Sequence, residues 1–273
     1  MSGQQARLVV AVSTLTADSE AVVRVATRIA KHTDARLRVV HPLGVIGESL
    51  RKALFGAPPL QQRIESAARR LANQVESALD GADFAREVVL DHNGAGAVIV
   101  QQAASGVADL VVLAADASAA DLPIAALAGI RSPLLFLPRF ARPGTPCIVQ
   151  ALTTGVTPDA FLRAQRWLRI LHPLLNASST EPGEIDILLC PETGSEAIPG
   201  IDSAAAALRA ALGERDPSVV VALLPAADAT AAHEFARRML GILLAEARCP
   251  VLAVPALPAI RAVWTPPAFQ VIA

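Results

Sequence analysis

Apolar residues along this chain follow two rhythms that take turns. Short runs that are apolar throughout, such as RLVVAVS (Arg7–Ser13), alternate with longer stretches in which apolar residues return every three or four positions, as Val22, Val25, Ala26 and Ile29 do. The first rhythm predicts strands buried on both faces, the second amphipathic helices with one apolar stripe. After the opening strand the pattern gives a helix with Thr16 or Asp18 at its N-cap, a strand over Arg36–Leu43, and a helix over Leu60–Leu79 that aligns Ile64, Ala68, Leu71, Val75 and Leu79. REVVLDHNG, AGAVIVQQAASG, ADLVVLAAD and SPLLFLP then predict a strand, a short helix ended by Gly106, a strand and another strand. A second series follows: PCIVQALT as strand, a long helix from Pro158 to about Leu175, EIDILLC as strand, a helix over Ser203–Leu212, SVVVALLP as strand, a helix over Ala231–Ala247, and CPVLAVP as the last strand. Wholly apolar strands separated by helices predict an α/β fold, a parallel sheet with helices on each side.

The two series close alike. RSPLLFLPRF (Arg131–Phe140) and RCPVLAVPAL (Arg248–Leu257) each spell Arg, a small residue, Pro, four apolar residues and a second Pro. Repetition at a long period points to two copies of one domain. RFARPGTP (Arg139–Pro146) marks the joint. The chain therefore divides into a doubly wound, Rossmann-like domain over 1–140, a second in tandem over 145–257, and an apolar tail over 258–273. Five strands are predicted in the first and four in the second, so the second is shortened.

Composition removes several function classes. With 24 basic and 25 acidic residues the net charge is −1, and aromatic residues make up 3%, so neither the overall field nor stacking platforms favour nucleic acid. Hydrophobic residues reach 53%, yet no window of 18 residues lacks charged or turn-forming residues, so no membrane span is expected. MSGQQARLVVAV has no basic start leading into a long apolar stretch, which predicts a cytoplasmic protein. Cys147, Cys190 and Cys249 each adjoin a Pro at the edge of an apolar run, the setting of buried thiols without disulfide or metal. His32, His41, His92, His172 and His233 share no ligand spacing, and no Gly-x-Ser-x-Gly elbow occurs, so neither a metal centre nor a catalytic nucleophile is expected.

RLVVAVST, ARLRVVHPL, VVLDHNGAGAVIVQQAASGVADLVVLAAD and RSPLLFLP, in this order over residues 7–138, resemble a universal stress protein domain. SVVVALLP through RCPVLAVP resembles the end of a second one. The resemblance implies a tandem universal stress protein whose two closing strands pair as an internal pseudo-dimer. Many members of that family bind ATP through an Asp that ends strand one and a glycine-rich loop after strand four, where glycines let backbone N–H groups reach the phosphates. Here Ser13 stands at the Asp position, and Thr153 lies near it in the second half. Gly129 is the single glycine between Ala114 and Ser132, as Gly241 is between Pro225 and Arg248, while Asp116 and Asp121 would repel a triphosphate.

Both ATP-binding motifs are thus degenerate, and no cofactor is expected. A ligand crevice surviving in the first half would be lined by Ser13, Val40, Asp116 and Ser118, at the C-terminal ends of strands one, two and four. The expected function is that of a universal stress protein-like regulatory or scaffolding protein rather than an enzyme. It would act through a protein partner or self-association, a homodimer being one form, and not on nucleic acid or membrane. The alternative is a sensor that binds a nucleotide or other small ligand in an altered crevice.

Three further features need a structural reading. HNGAGAVI (His92–Ile99) carries two of the glycines of a dinucleotide-binding turn but Ile99 at the third, so a tight strand-to-helix turn is expected. Arg163, Arg166 and Arg169 make a basic stripe expected to be a solvated helix face, with anion or partner binding as the sharper reading. The tail, with Trp264, Phe269 and Val271, is too apolar for a disordered segment and is expected to pack within the chain or its dimer, with a partner-recruiting arm as the sharper reading.

Overall fold

Along β1 (Leu8–Val12), Leu8, Val10 and Val12 enter one apolar cluster while Val9 and Ala11 enter another on the opposite side of the sheet. That double burial is why a strand of this type shows no polar alternation, and it recurs across the sheet. The computed structural model describes residues 7–44, 60–79, 85–115, 129–139, 145–151, 158–175, 185–188, 205–206, 208–210, 212–213, 217–224 and 230–256. Eight further strands are β2 (Arg36–Pro42), β3 (Arg86–Asp91), β4 (Leu110–Ala114), β5 (Leu134–Leu137), β6 (Thr145–Ala151), β7 (Ile185–Leu188), β8 (Pro217–Leu224) and β9 (Val251–Pro255). The helices are α1 (Ala17–Thr33), α2 (Leu60–Leu79), α3 (Ala95–Ala104), α4 (Pro158–Leu175) and α5 (Thr230–Glu246). The predicted tail lies outside the described residues, as do the side chains of Cys147 and Cys190; Cys249 is buried and in no disulfide among the described residues.

The nine strands among the described residues join one sheet in the order β3-β2-β1-β4-β5-β9-β8-β6-β7. Neighbours run parallel except β5 and β9, which meet antiparallel with Leu134 opposite Ala253, Leu135 opposite Leu252 and Phe136 opposite Val251. The repeated sequences RSPLLFLP and RCPVLAVP are therefore the two central strands. Before the first of them, Ser132 and Arg131 donate backbone N–H groups to the Ala103 carbonyl at the end of α3, and the Ser132 hydroxyl donates to the Ala108 carbonyl at 2.6 Å. At the start of β1, Asp109 Oδ2 accepts the N–H groups of Arg7 and Leu8 at 2.7 and 3.0 Å, tying that strand to β4.

One face of the sheet is covered by α1, α2 and α4, the other by α3, α5 and the helical residues around Leu208. Both clusters run through the β5–β9 joint: the first combines Leu71 and Leu135 with Trp167, Leu171 and Leu252, the second Val98 and Phe136 with Leu240 and Val251. α1 also packs directly on α4. Among the described residues no helix is long and apolar enough to cross a membrane.

Two expectations are refined by the geometry. Thr16 is the N-cap residue of α1, but its side chain makes no capping hydrogen bond to the helix. The glycines of HNGAGAVI are not needed for close approach, since a Cβ at Gly94 or Gly96 would meet nothing within 4 Å. Asp91 Oδ1 shapes that turn by accepting the Asn93 N–H at 2.9 Å.

On α1, the Thr27 hydroxyl is buried without a hydrogen-bond partner. Thr27→Val keeps the shape and removes the orphaned polar atom, so it is expected to stabilise the fold by about 1 kcal/mol. Thermal unfolding of the variant beside the parent checks this, and a lower melting temperature would contradict it.

Candidate functional site

In an open parallel sheet the natural crevice lies outside the strand ends where the chain's winding reverses. In the first half that point falls between β1 and β4, because β2 and β3 lie to one side of β1 and β4 and β5 to the other. The segment crossing it is Ser13–Thr16. Ser13 and Val40 do meet there, the Ser13 N–H donating to the Val40 carbonyl at 2.9 Å. Asp116 and Ser118 lie outside the described residues.

Ser13 and Val40 are both fully buried, at 0% exposure. The Ser13 hydroxyl donates to Gln74 Oε1 at 2.6 Å and accepts the Leu15 N–H at 3.3 Å, which leaves it little capacity for anything else. Ser13's carbonyl accepts a hydrogen bond from His41 Nδ1 at 2.6 Å. A carbonyl can only accept, so Nδ1 carries the proton. Arg70, one turn before Gln74 on α2, donates to the Leu15 carbonyl at 3.0 Å. Ser19, buried in the first turn of α1, accepts the Thr14 N–H at 2.9 Å and lies 2.9 and 3.1 Å from the hydroxyls of Thr14 and Thr16.

Leu15 holds φ at 59°, a left-handed conformation that costs a side-chain-bearing residue roughly 1 kcal/mol or more. The hydrogen bonds on either side of it offset that strain. The segment is thus tied down from β2, α1 and α2 at once.

Residues 6–121 match the model of the universal stress protein family. The first half carries a universal stress protein domain. No curated protein matches the sequence. Among solved structures, a universal stress protein from Archaeoglobus fulgidus DSM 4304 superposes with a TM-score of 0.58 at 11% identity, covering 92% of this chain and 97% of that one. A functionally unknown protein from Pseudomonas aeruginosa PAO1 gives 0.47 at 13% identity, with 92% and 93% covered. The superposition at 0.58 shows that the fold of the Archaeoglobus protein is shared over 92% of this chain.

Within the universal stress protein domain, four residues at this crevice escape a reading by motif: Gln74, His41, Arg70 and Ser19. In the structure Gln74 lies on the side of α2 that buries Ala67, Leu71, Val75 and Ala78, and Ser19 lies on the side of α1 that buries Val22, Val23 and Ala26. His41 stood only as one of five unconnected histidines.

Burial, aided by the nearby Arg70 guanidinium, lowers the His41 pKa from its ordinary 6.5, while the bond to Ser13 opposes the shift. The folded protein then holds His41 neutral where the unfolded chain would take up a proton. Stability is full above the unfolded value and lost as pH falls from about 6.5 through the folded value. His41→Gln, which keeps a donor, is expected to flatten this acid decline. The melting temperature of both proteins from pH 8 to pH 5 checks it, and parallel curves would refute it.

Proposed function

We propose that this protein is a stress-related regulatory or scaffolding protein of the universal stress protein type, acting through protein contacts in the cytoplasm. In this reading it is not an enzyme and does not hold ATP in the family manner. The observation that carries the reading is the fully buried Ser13 hydroxyl, already engaged by Gln74 and Leu15 at the position where many relatives present an Asp to the nucleotide. The absence of loop glycines in both halves, apart from Gly129 and Gly241, supports it.

The second half, 145–257, is in this reading a shortened copy of the first. Support comes from strand order: β7, β6, β8 and β9 repeat the arrangement of β2, β1, β4 and β5, and a counterpart of β3 is lacking among the described residues. β5 against β9 is then an internal pseudo-dimer contact, and fusion of the copies gives each half a high effective concentration for the other.

Thermal unfolding in the presence of ATP, ADP or AMP tests the reading. A ligand that binds only the native state stabilises it by mass action, so a flat response to all three is expected. A dose-dependent rise with any of them would overturn it in favour of a nucleotide sensor.

A further inference from the structure

α1 and α4 lie side by side over the joint between the halves, and their outward stripes are basic. The exposed line along α1 is Ala17, Ala21, Arg24, Arg28 and Lys31. On α4, Leu162, Arg166 and Arg169 stand at the three- and four-residue spacing of one helix face, with Leu162 exposed to 62%. The two helices hold six Arg and Lys against three Asp and Glu, in a chain whose net charge is −1.

Half of these cations are committed within the fold. Arg24 pairs with Glu20 at 2.6 Å, Lys31 donates to the Leu79 carbonyl at 3.0 Å, and Arg163 turns inward onto two carbonyls. Arg28, Arg166 and Arg169 make no ion pair among the described residues.

We infer that the outward face of α1 and α4 docks an acidic protein segment, with Arg28, Arg166 and Arg169 taking its carboxylates and Leu162 giving one apolar contact. The inference rests on the partner-binding reading proposed above and names its surface. Guanidinium groups suit the task because they engage carboxylates in a planar, two-pronged fashion and lose little hydration on doing so. A membrane surface fits poorly: among the described residues Leu162 is the single exposed large apolar side chain on the face, and Ala17 and Ala21 are too small to insert. Nucleic acid fits poorly as well, because Trp167 is buried and Phe161 half-buried, which leaves little aromatic surface on this face for bases to stack on.

The test titrates the full-length protein into a fluorescein-labelled peptide rich in Asp and Glu with interspersed Leu. Saturable binding that weakens with added salt is expected. Arg28→Ser/Arg166→Ser/Arg169→Ser should lower the affinity about tenfold or more, while Arg248→Ser, at an exposed arginine elsewhere, should change it less than about twofold. Should the triple variant fail to fold, Arg28→Ser/Arg169→Ser, at two exposed positions, carries the same comparison. No binding, binding indifferent to these substitutions, or tighter arginine-dependent binding of an oligonucleotide or of phosphatidylserine vesicles would each overturn the inference. A nucleotide-driven rise in melting temperature would remove the scaffold reading without altering this titration, whereas a flat nucleotide response with a null titration removes this face alone.

Discussion

Replacing Phe136 by alanine is expected to lower the free energy of unfolding by about 3–5 kcal/mol, in one transition that takes both halves together. Phe136 is fully buried in β5, directly opposite Val251 of β9. Its cluster contains Val10 and Val111 from one half and Val220, Leu240 and Ala253 from the other. A cavity opened there lies in a core that neither half owns alone. The loss therefore combines the transfer free energy of the ring with the unfilled volume, and local collapse of one half cannot relieve it. Phe136→Leu, which restores most of the volume, is expected to recover the greater part of the stability. Denaturant unfolding followed by circular dichroism and by tryptophan fluorescence distinguishes the outcomes. Two separated transitions, of which the substitution moves only one, would mean that the halves are independent bodies and that the shared core contributes little.

Much of this fold is legible in the sequence because burial on both faces writes an unbroken apolar run. The predicted helices Leu60–Leu79 and Pro158–Leu175 carry the bounds found in the structure; most strands come out one to four residues shorter than their predicted segments, and β8 keeps its length, shifted by one residue. Order within the sheet is a different matter. That β4 lies beside β1 and β9 beside β5 depends on contacts far apart along the chain, for which periodicity carries no signal. The repeat of RSPLLFLP and RCPVLAVP was the one local hint that these two strands belong together.

At the crevice, Ser13 and Val40 are adjacent because Ser13 follows β1 and Val40 lies near the end of its parallel neighbour β2, but their sealing could not be read locally. It depends on Gln74, which follows Ser13 by 61 residues, and on a leucine in a conformation leucine rarely adopts. The arginine stripe departs in part from the solvated face its spacing predicts, for a similar reason. Arg163 shares a face with Arg166 and Arg169 in a helical projection, yet only contact with two other elements decides that it turns inward.

Arg163→Met is expected to destabilise the protein by about 2–3 kcal/mol, and Arg163→Lys by roughly half as much. The Arg163 guanidinium donates through Nη1 to the Pro255 carbonyl at 3.0 Å and through Nη2 to the Arg131 carbonyl at 2.7 Å. Pro255 ends β9 and Arg131 precedes β5, so one side chain from α4 clasps both strands where their short antiparallel pairing begins. Burial pulls the guanidinium pKa below its ordinary value, with Asp159 one turn earlier opposing the shift, but an arginine keeps its charge at physiological pH and the bonds stay charge-assisted. Methionine retains the apolar stem and loses both bonds. Water can reach part of the site, so the cost stays below that of a sealed ionic contact. Lysine can reach one carbonyl but not both in the same geometry, hence the intermediate value. Trp167, buried one turn further along α4, reports locally on this contact once Trp264 is replaced by phenylalanine. A stability change under about 0.5 kcal/mol for Arg163→Met would show that β5 and β9 hold together without the clasp. A loss of the expected size, with Trp167 fluorescence and circular dichroism changing in step, would make Arg163 a principal polar link between the two halves.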